Sequence, residues 1–292
     1  MSFRIPHSAF RILLLPLLAI QPLLRGHVPW QGDGLLHFYR VAALERAIAT
    51  GDIFPRWLPD LGLGYGFPLF NYYAPFSYYI ALPFRWVGLG LPTAVAASYA
   101  LALGVMGVGA YQLGHERWGE RGGMTAALAL LYAPYTLLNL HHRAALAELW
   151  GLAWLVMCLW LVQHTAAHPR RWPWLTLAYS ALLLSHNITA LIGTPVLIGY
   201  SLFVIRYGGV SQSVSLSVGQ SLSRSVNSQS AFRIPHSAIA LSLGLLLTAF
   251  FWLPALAETG YVQIDKVADG ANFSYVNHFL DWRELLAWPP TA

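Results

Sequence analysis

Residues Trp172 to Ile205 read WPWLTLAYSALLLSHNITALIGTPVLIGYSLFVI, 34 residues without one Asp, Glu, Lys or Arg. As one α-helix rising 1.5 Å per residue the run would reach about 51 Å, against a bilayer hydrocarbon core of about 30 Å. It is too long for one crossing, so it must cross, turn and cross back. Ser185, His186 and Asn187 are the place for the turn, because three consecutive polar residues fall there near its middle.

The rest of the chain agrees with a membrane hairpin. Of 292 residues, 57% are hydrophobic and 10% charged, where a soluble domain carries about 25% charged residues. An ordinary soluble enzyme is excluded. Further apolar runs lie at Ile12 to Leu24, Asn71 to Leu89, Leu91 to Leu113, Gly123 to Leu140, Ala144 to Gln163 and Ile239 to Ala257. Cys158 is the one cysteine and sits inside such a run, which excludes an intramolecular disulfide and predicts a core thiol. The 16 arginines and Lys266 form no basic block, so nucleic acid is not an expected partner.

Arginines decide the topology, since loops holding them near span ends share the cytoplasmic side. Arg4 with Arg11, Arg117 with Arg121, Arg170 with Arg171, and Arg206 through Arg233 form four such groups. An even number of crossings must separate neighbouring groups. Asn71 to Leu89, aromatic and holding Pro75 and Pro83, is therefore read as a helix lying at the outer interface or dipping into it. The expectation is an all-α polytopic bundle of about seven spans, N-terminus cytoplasmic, with a large outer first loop carrying interfacial helices. Ten of the twelve acids then fall outside, where they either solvate outer loops or do chemistry.

Three regions follow. Residues 1–207 hold spans one to six with the outer loop 25–90. Residues 208–237 are a low-complexity cytoplasmic insertion, and 238–292 hold the seventh span and the start of an outer loop, where truncation is expected. The insertion carries nine serines between Ser211 and Ser230 and runs into Phe232 to Ala238, which repeats Phe3 to Ala9 letter for letter. A seven-nucleotide unit, TTCCGCA, read three times encodes that heptapeptide. Such polar sequence has no core to join, and the repeat leaves the translation start open.

Three outer segments carry candidate chemistry. In Gly32-Asp33-Gly34-Leu-Leu-His37-Phe-Tyr-Arg40 a helix from Gly34 to about Thr50 sets Asp33, His37 and Arg40 on one face, with Leu44 continuing it. Asp33 reads equally as a helix N-cap. In His141-His142-Arg143-Ala-Ala-Leu-Ala-Glu148, Glu148 lies about one turn into an apolar helix, and a carboxylate there needs a partner or a task. An Arg143 to Glu148 ion pair closing the hairpin is one answer; His141 and His142 are further partners, though adjacent histidines point apart on a helix and disfavour zinc. His186 with Asn187 either turns the chain or joins Asp33 and Glu148 on the same side. Gly104, Gly107 and Gly109 predict a close helix contact.

These residues, with Leu63-Gly-Tyr-Gly-Phe-Pro-Leu-Phe-Asn-Tyr-Tyr-Ala-Pro-Phe-Ser-Tyr-Tyr79, Tyr132-Ala-Pro-Tyr135, Ser185-His-Asn187 and Phe251-Trp-Leu-Pro-Ala-Leu-Ala-Glu258, resemble a bacterial membrane-protein family labelled "6-pyruvoyl-tetrahydropterin synthase related". Nothing here resembles the soluble pterin enzyme of that label. The family is similar in layout to GT-C glycosyltransferases, in which a module of seven spans with a large first outer loop transfers sugar from a polyprenyl-phosphate carrier to an envelope acceptor. The resemblance implies the bacterial cytoplasmic membrane as location and the lipid bilayer and a polyprenyl-phosphate sugar donor as partners. It implies Asp33 and Glu148 as catalytic residues, and His37, Arg40, His141, His142, Arg143 and His186 as substrate-binding residues. A divalent cation stays open, because the paired acids of metal-dependent oligosaccharyltransferases are absent and Glu148 stands alone. The alternative is a non-catalytic protein that transports or holds an envelope lipid or polysaccharide.

Overall fold

The computed structural model describes residue 16 and residues 18–23, 32–216 and 236–262, with side chains of 207–216 left aside. The chain divides into two compact units, Met1–Phe251 and Trp252–Ala292. The described part is all-α. Residues 18–23 are helical, the rest of the expected first span lying largely outside the described residues, and the further helices are α1 (Gly34–Ala49), α2 (Leu69–Tyr72), α3 (Phe76–Trp86), α4 (Leu91–Leu131), α5 (Pro134–His141), α6 (Leu146–Ala167), α7 (Trp172–Ser185), α8 (Asn187–Leu216), α9 (His236–Leu247) and α10 (Ala249–Ala257).

Three of these are long and apolar enough to cross a membrane: Leu91–Leu131, Leu146–Ala167 and the Asn187–Arg206 part of α8. The bent pair α9 and α10 makes up to four. The protein is thus a multi-pass membrane protein by length and composition, and the finer count of seven rests on the topology below. At 11 residues, α3 is about 16 Å long, and α7 and the limb of α4 after Gly119 are likewise shorter than a hydrocarbon core of about 30 Å.

The longest helix is really two. At Gly119 the backbone takes φ 68 and ψ −165, a region open essentially to glycine alone. The chain reverses there. A Cβ on Gly114 would lie 2.7 Å from the Gly122 carbonyl, and one on Gly123 would meet Tyr111 at 2.8 Å. The two limbs therefore run antiparallel with their backbones in close approach, as the Arg117 and Arg121 loop predicts.

Side-chain pairings give the direction of the other helices. The first limb of α4 runs parallel to α6: Trp150 Nε1 donates to Ser98 Oγ at 3.0 Å near one end, and Arg117 Nε to Gln163 Oε1 at 2.8 Å near the other. Between them a Cβ on Gly109 would come within 3.0 Å of the Met157 backbone, while one on Gly104 would meet nothing within 4 Å. The expected glycine contact thus belongs to Gly109, and Gly104 is no part of it. The turn at His186 sends α8 back along α7, with Tyr179 Oη 2.9 Å from Thr194 Oγ1. Helix α9 lies parallel to α7, through Thr176 Oγ1 to the Ala240 carbonyl and Ser180 Oγ to the Gly244 carbonyl.

One apolar cluster joins α1, α3, the first limb of α4 and α6, around Tyr78, Tyr99 and Trp150; another joins α6 to α9, around Cys158, Tyr179 and Leu182. Cys158 is fully buried, as its run predicts. At the Arg117 end a polar cluster closes the bundle, where the Glu116 carboxylate accepts from Trp160 Nε1, Gln163 Nε2 and His164 Nδ1. The serine-rich stretch continues α8 as far as Leu216, His236 and Ser237 begin α9, and residues 217–235 lie outside the described residues.

Candidate functional site

The opposite end is built on the turn between α5 and α6. The N–H groups of His142 and Arg143 both donate to the Leu138 carbonyl and close α5. Ala144 then takes φ +51, a left-handed conformation that costs a residue with a Cβ. Ala145, at φ −85 and ψ 71, makes an inverse γ-turn in which the Leu146 N–H donates to the Ala144 carbonyl at 3.0 Å.

Buried side chains hold this strained turn. The Ala144 carbonyl also accepts from Tyr99 Oη and from His37 Nε2, each at 2.7 Å. The Ala144 carbonyl can only accept, so Nε2 donates to it, and Nδ1 of the neutral ring accepts from Tyr78 Oη at 3.1 Å, which itself accepts from Arg40 at 2.8 Å. His37 Nε2 therefore carries the imidazole proton and gives it to Ala144. Burial, with Arg40 beside it, lowers the His37 pKa to about 3 against the pull of that hydrogen bond, so the ring is neutral near pH 7. His37 is wholly buried and supports the turn. Its face of α1 is also the apolar stripe of Phe38, Val41 and Leu44, which turns it inward.

On this turn stands the pair expected to close the hairpin. Arg143 Nη1 lies 2.9 Å from Glu148 Oε2, 2.7 Å from Asn139 Oδ1 and 3.3 Å from Tyr135 Oη. Glu148 Oε1 accepts from Tyr135 Oη and from Asn139 Nδ2. The carboxylate is 12% exposed and spoken for at both oxygens, whereas the guanidinium side chain is 45% exposed. Burial works against the Arg143 charge, but Glu148 and Tyr135 outweigh it and hold its pKa up.

Asp33 is brought to the same place by its backbone. Its N–H donates to the Arg143 carbonyl at 2.9 Å. A Cβ on Gly32, at φ +57, would fall 2.3 Å from that oxygen, so only glycine allows the approach. Asp33 precedes α1 without capping it through its side chain. Among the described residues nothing hydrogen-bonds its half-buried carboxylate.

His186 comes from the third segment. Its Nδ1 accepts the Thr189 N–H at 3.3 Å and lies 2.8 Å from Thr189 Oγ1, so it caps α8 and turns the chain at once. Gly151, one turn below Glu148, lets this cap lie directly on α6: a Cβ there would be 2.9 Å from the His186 Cβ. His186 consequently feels Glu148, Arg143 and Asp33 together; burial first, then Arg143, depress its pKa while the two acids oppose. Asn187 Nδ2 ties the same turn to the Tyr72 carbonyl of the first outer loop.

Asp33, Arg143, Glu148 and His186 thus converge, from segments far apart in the chain. Arg40 sits 4.4 Å above the Tyr73 ring and bonds Tyr78, with no carboxylate pairing it among the described residues. His141 turns away to the backbone of Ala19, and exposed His142 ends α5. Sequence reasoning missed Tyr135, Asn139 and Gly151 as parts of the site. Asn139 stands four residues before Arg143 on the α5 face, and Gly151 is the lone small gap among bulky residues near Glu148; both were readable signals. Among the described residues no group of three or more His, Cys, Asp or Glu side chains is arranged for a metal ion. Both Glu148 oxygens are engaged by hydrogen bonds within this cluster.

Comparison with known proteins places the chain near one distant relative. It is 22% identical over 276 residues to an uncharacterized protein of Lactococcus lactis subsp. cremoris (strain MG1363), covering 91% of this chain and 42% of that one. The chain therefore spans less than half the length of that relative. No family model matches the chain, and no solved structure matches it.

Proposed function

We propose that the chain is the membrane module of a lipid-linked sugar transferase of GT-C type, with seven spans and its N-terminus in the cytoplasm of a bacterial cell. The alternating helix directions support that topology: the two limbs of α4, then α6, α7, α8 and α9 reverse in turn, and the arginine-bearing turns gather at one end. The observation that carries the reading is the gathering of Asp33, Arg143, Glu148 and His186 at one end of helices of spanning length. Asn187–Arg206 has 20 residues, about 30 Å of helix, which matches a hydrocarbon core of about 30 Å. With Arg206 at the inner boundary, His186, Glu148 and Asp33 stand at the outer boundary, at the height of a lipid phosphate.

At that height the groups suit displacement at a sugar carbon. The exposed guanidinium of Arg143 meets the donor phosphate, with the His186 edge beside it. The carboxylate of Asp33 takes the acceptor hydroxyl proton as the acceptor oxygen bonds to the anomeric carbon, and the bond from that carbon to the phosphate oxygen breaks. Glu148, already bonded at both oxygens, orients Arg143. The engagement of Glu148 also favours a second reading, in which the site holds an envelope lipid or polysaccharide without reacting it.

The test is transfer from polyprenyl-phosphate sugars by the full-length protein in vesicles. Turnover that vanishes in Asp33→Asn, with helical content and elution unchanged, is the expected result. Unchanged turnover removes Asp33 from the mechanism, and binding of polyprenyl phosphate without any transfer selects the second reading.

A further inference from the structure

The first outer loop carries a feature that neither fold nor site uses. Between Leu58 and Phe67, whose N–H and carbonyl groups bond reciprocally at 2.9 and 3.0 Å, the chain forms a closed tip. The Gly66 N–H donates to the Leu61 carbonyl and the Tyr65 N–H to that of Gly62. Leu63 at the apex has φ +59, a conformation rare for a bulky side chain, and is 100% exposed; Tyr65 is 88% exposed. Trp57, half-exposed, lies against Gly66, where a Cβ would clash with its ring at 2.4 Å. The base is fixed by fully buried Leu58 and by the Arg46 to Asp60 ion pair at 2.9 Å. An ordered, strained backbone thus presents large apolar side chains to the outside.

The depth of this tip follows from its anchor. Arg56 Nη2 donates to the Phe250 carbonyl at 2.9 Å, and the Phe54 and Phe250 rings meet edge to face at 5.0 Å. That carbonyl lacks a helical partner because residue 254 is proline, which has no N–H. Inside a bilayer such an orphan must be satisfied by protein. Ser180 pairs with Gly244 in the parallel contact of α7 and α9, and Phe250 follows just past the 62° bend into α10, where its bond to Arg56 of the first outer loop puts it on the His186 side of the bundle. The tip starts two residues after Arg56, so it lies within the outer boundary layer, where Trp and Tyr rings are favoured.

We infer that the tip from Leu58 to Phe67 is an anchor that docks into the outer leaflet, with Leu63 among acyl chains and Trp57 and Tyr65 among headgroups. The occupant is the lipid surface. Its attachment beside Phe250, itself 47% exposed, argues for it, and so does a fully exposed leucine held in place at an energetic cost. The inference rests on the bilayer placement of α7 to α9 and not on sugar transfer, so the transferase test and this one fail separately.

The full chain with Cys158→Ala and Leu63→Cys, labelled with a polarity-sensitive fluorophore, is reconstituted in phosphatidylcholine and phosphatidylglycerol vesicles. The expected result is blue-shifted emission, quenched several-fold more by a shallow nitroxide lipid than by aqueous iodide. Tyr65→Cys, labelled likewise, should report a shallower position. Iodide-dominated quenching at both positions places the tip in water and overturns the anchor. Disulfide dimers formed at Leu63→Cys independently of lipid would instead make a second copy the occupant, and overturn it too. Elution and helical content matching the unlabelled protein qualify each variant for the comparison.

Discussion

The backbone N–H of Asp33 is bonded to the carbonyl of Arg143 at 2.9 Å, across 110 residues of chain. This contact docks the N-terminus of α1 on the α5 to α6 turn, and the guanidinium of the same Arg143 holds Glu148. One residue therefore couples both outer loops: its backbone fixes Asp33 and its side chain fixes the second acid. Gly32 is what makes the approach close enough.

The Arg143 and Glu148 pair should be measurable by a double-mutant cycle. Because the guanidinium is nearly half exposed, the coupling should be only about 1 kcal/mol. Unfolding of Arg143→Ala, Glu148→Gln and the double variant in detergent gives the number. Additive losses would mean that the pair contributes no coupling.

Ala144→Gly should leave stability unchanged or raise it by up to about 1.5 kcal/mol. Relief of a left-handed alanine gains about 1–2 kcal/mol, against about 0.5–1 kcal/mol for the extra freedom of glycine in the unfolded chain. A thermal midpoint well below that of the parent would show that Ala144 is not strained.

Gly151→Val should push the His186 and Thr189 cap off α6 and cost about 1–3 kcal/mol. Under the transferase reading it should lower turnover more than Gly109→Ala, which disturbs α4 and α6 lower in the bundle. Equal losses of activity at matched stability would detach His186 from the site.

His37 carries a pH dependence whose sign is fixed. Its folded pKa, about 3, lies below the ordinary 6.5, so the unfolded chain binds the extra proton and stability rises with pH. The contribution is whole above pH 6.5 and is lost as pH falls toward 3, on the order of 5 kcal/mol in all. His37→Gln should flatten the stability profile across that window; a parallel profile would mean that other groups carry it.

For topology, Trp118→Cys in a Cys158→Ala background should resist a membrane-impermeant thiol reagent added outside intact cells, and Thr50→Cys should react. Reaction at position 118 would invert or dismantle the seven-span arrangement.

Hydrophobic run lengths and arginine spacing were enough to give the all-α membrane class, the turn at His186, the reversal between Arg117 and Arg121 and the start of α1 at Gly34. Those are local or one-dimensional properties: run length against bilayer thickness, charge against the inner surface, and the Gly-Asp-Gly stretch at the start of α1. Which polar residues meet was decided by tertiary structure alone. His37 and Asp33 share one helical face by spacing, yet the packing of α1 on α3, α4 and α6 buries the first and leaves the second half-exposed. His141 and Arg143 are two residues apart, yet the left-handed Ala144 and its carbonyl contacts send the arginine into the site while the histidine turns to Ala19. Periodicity gives direction about a helix axis; contact with a residue a hundred positions away depends on how helices stack, and that is fixed by side-chain volumes such as the missing Cβ of Gly32 and Gly151.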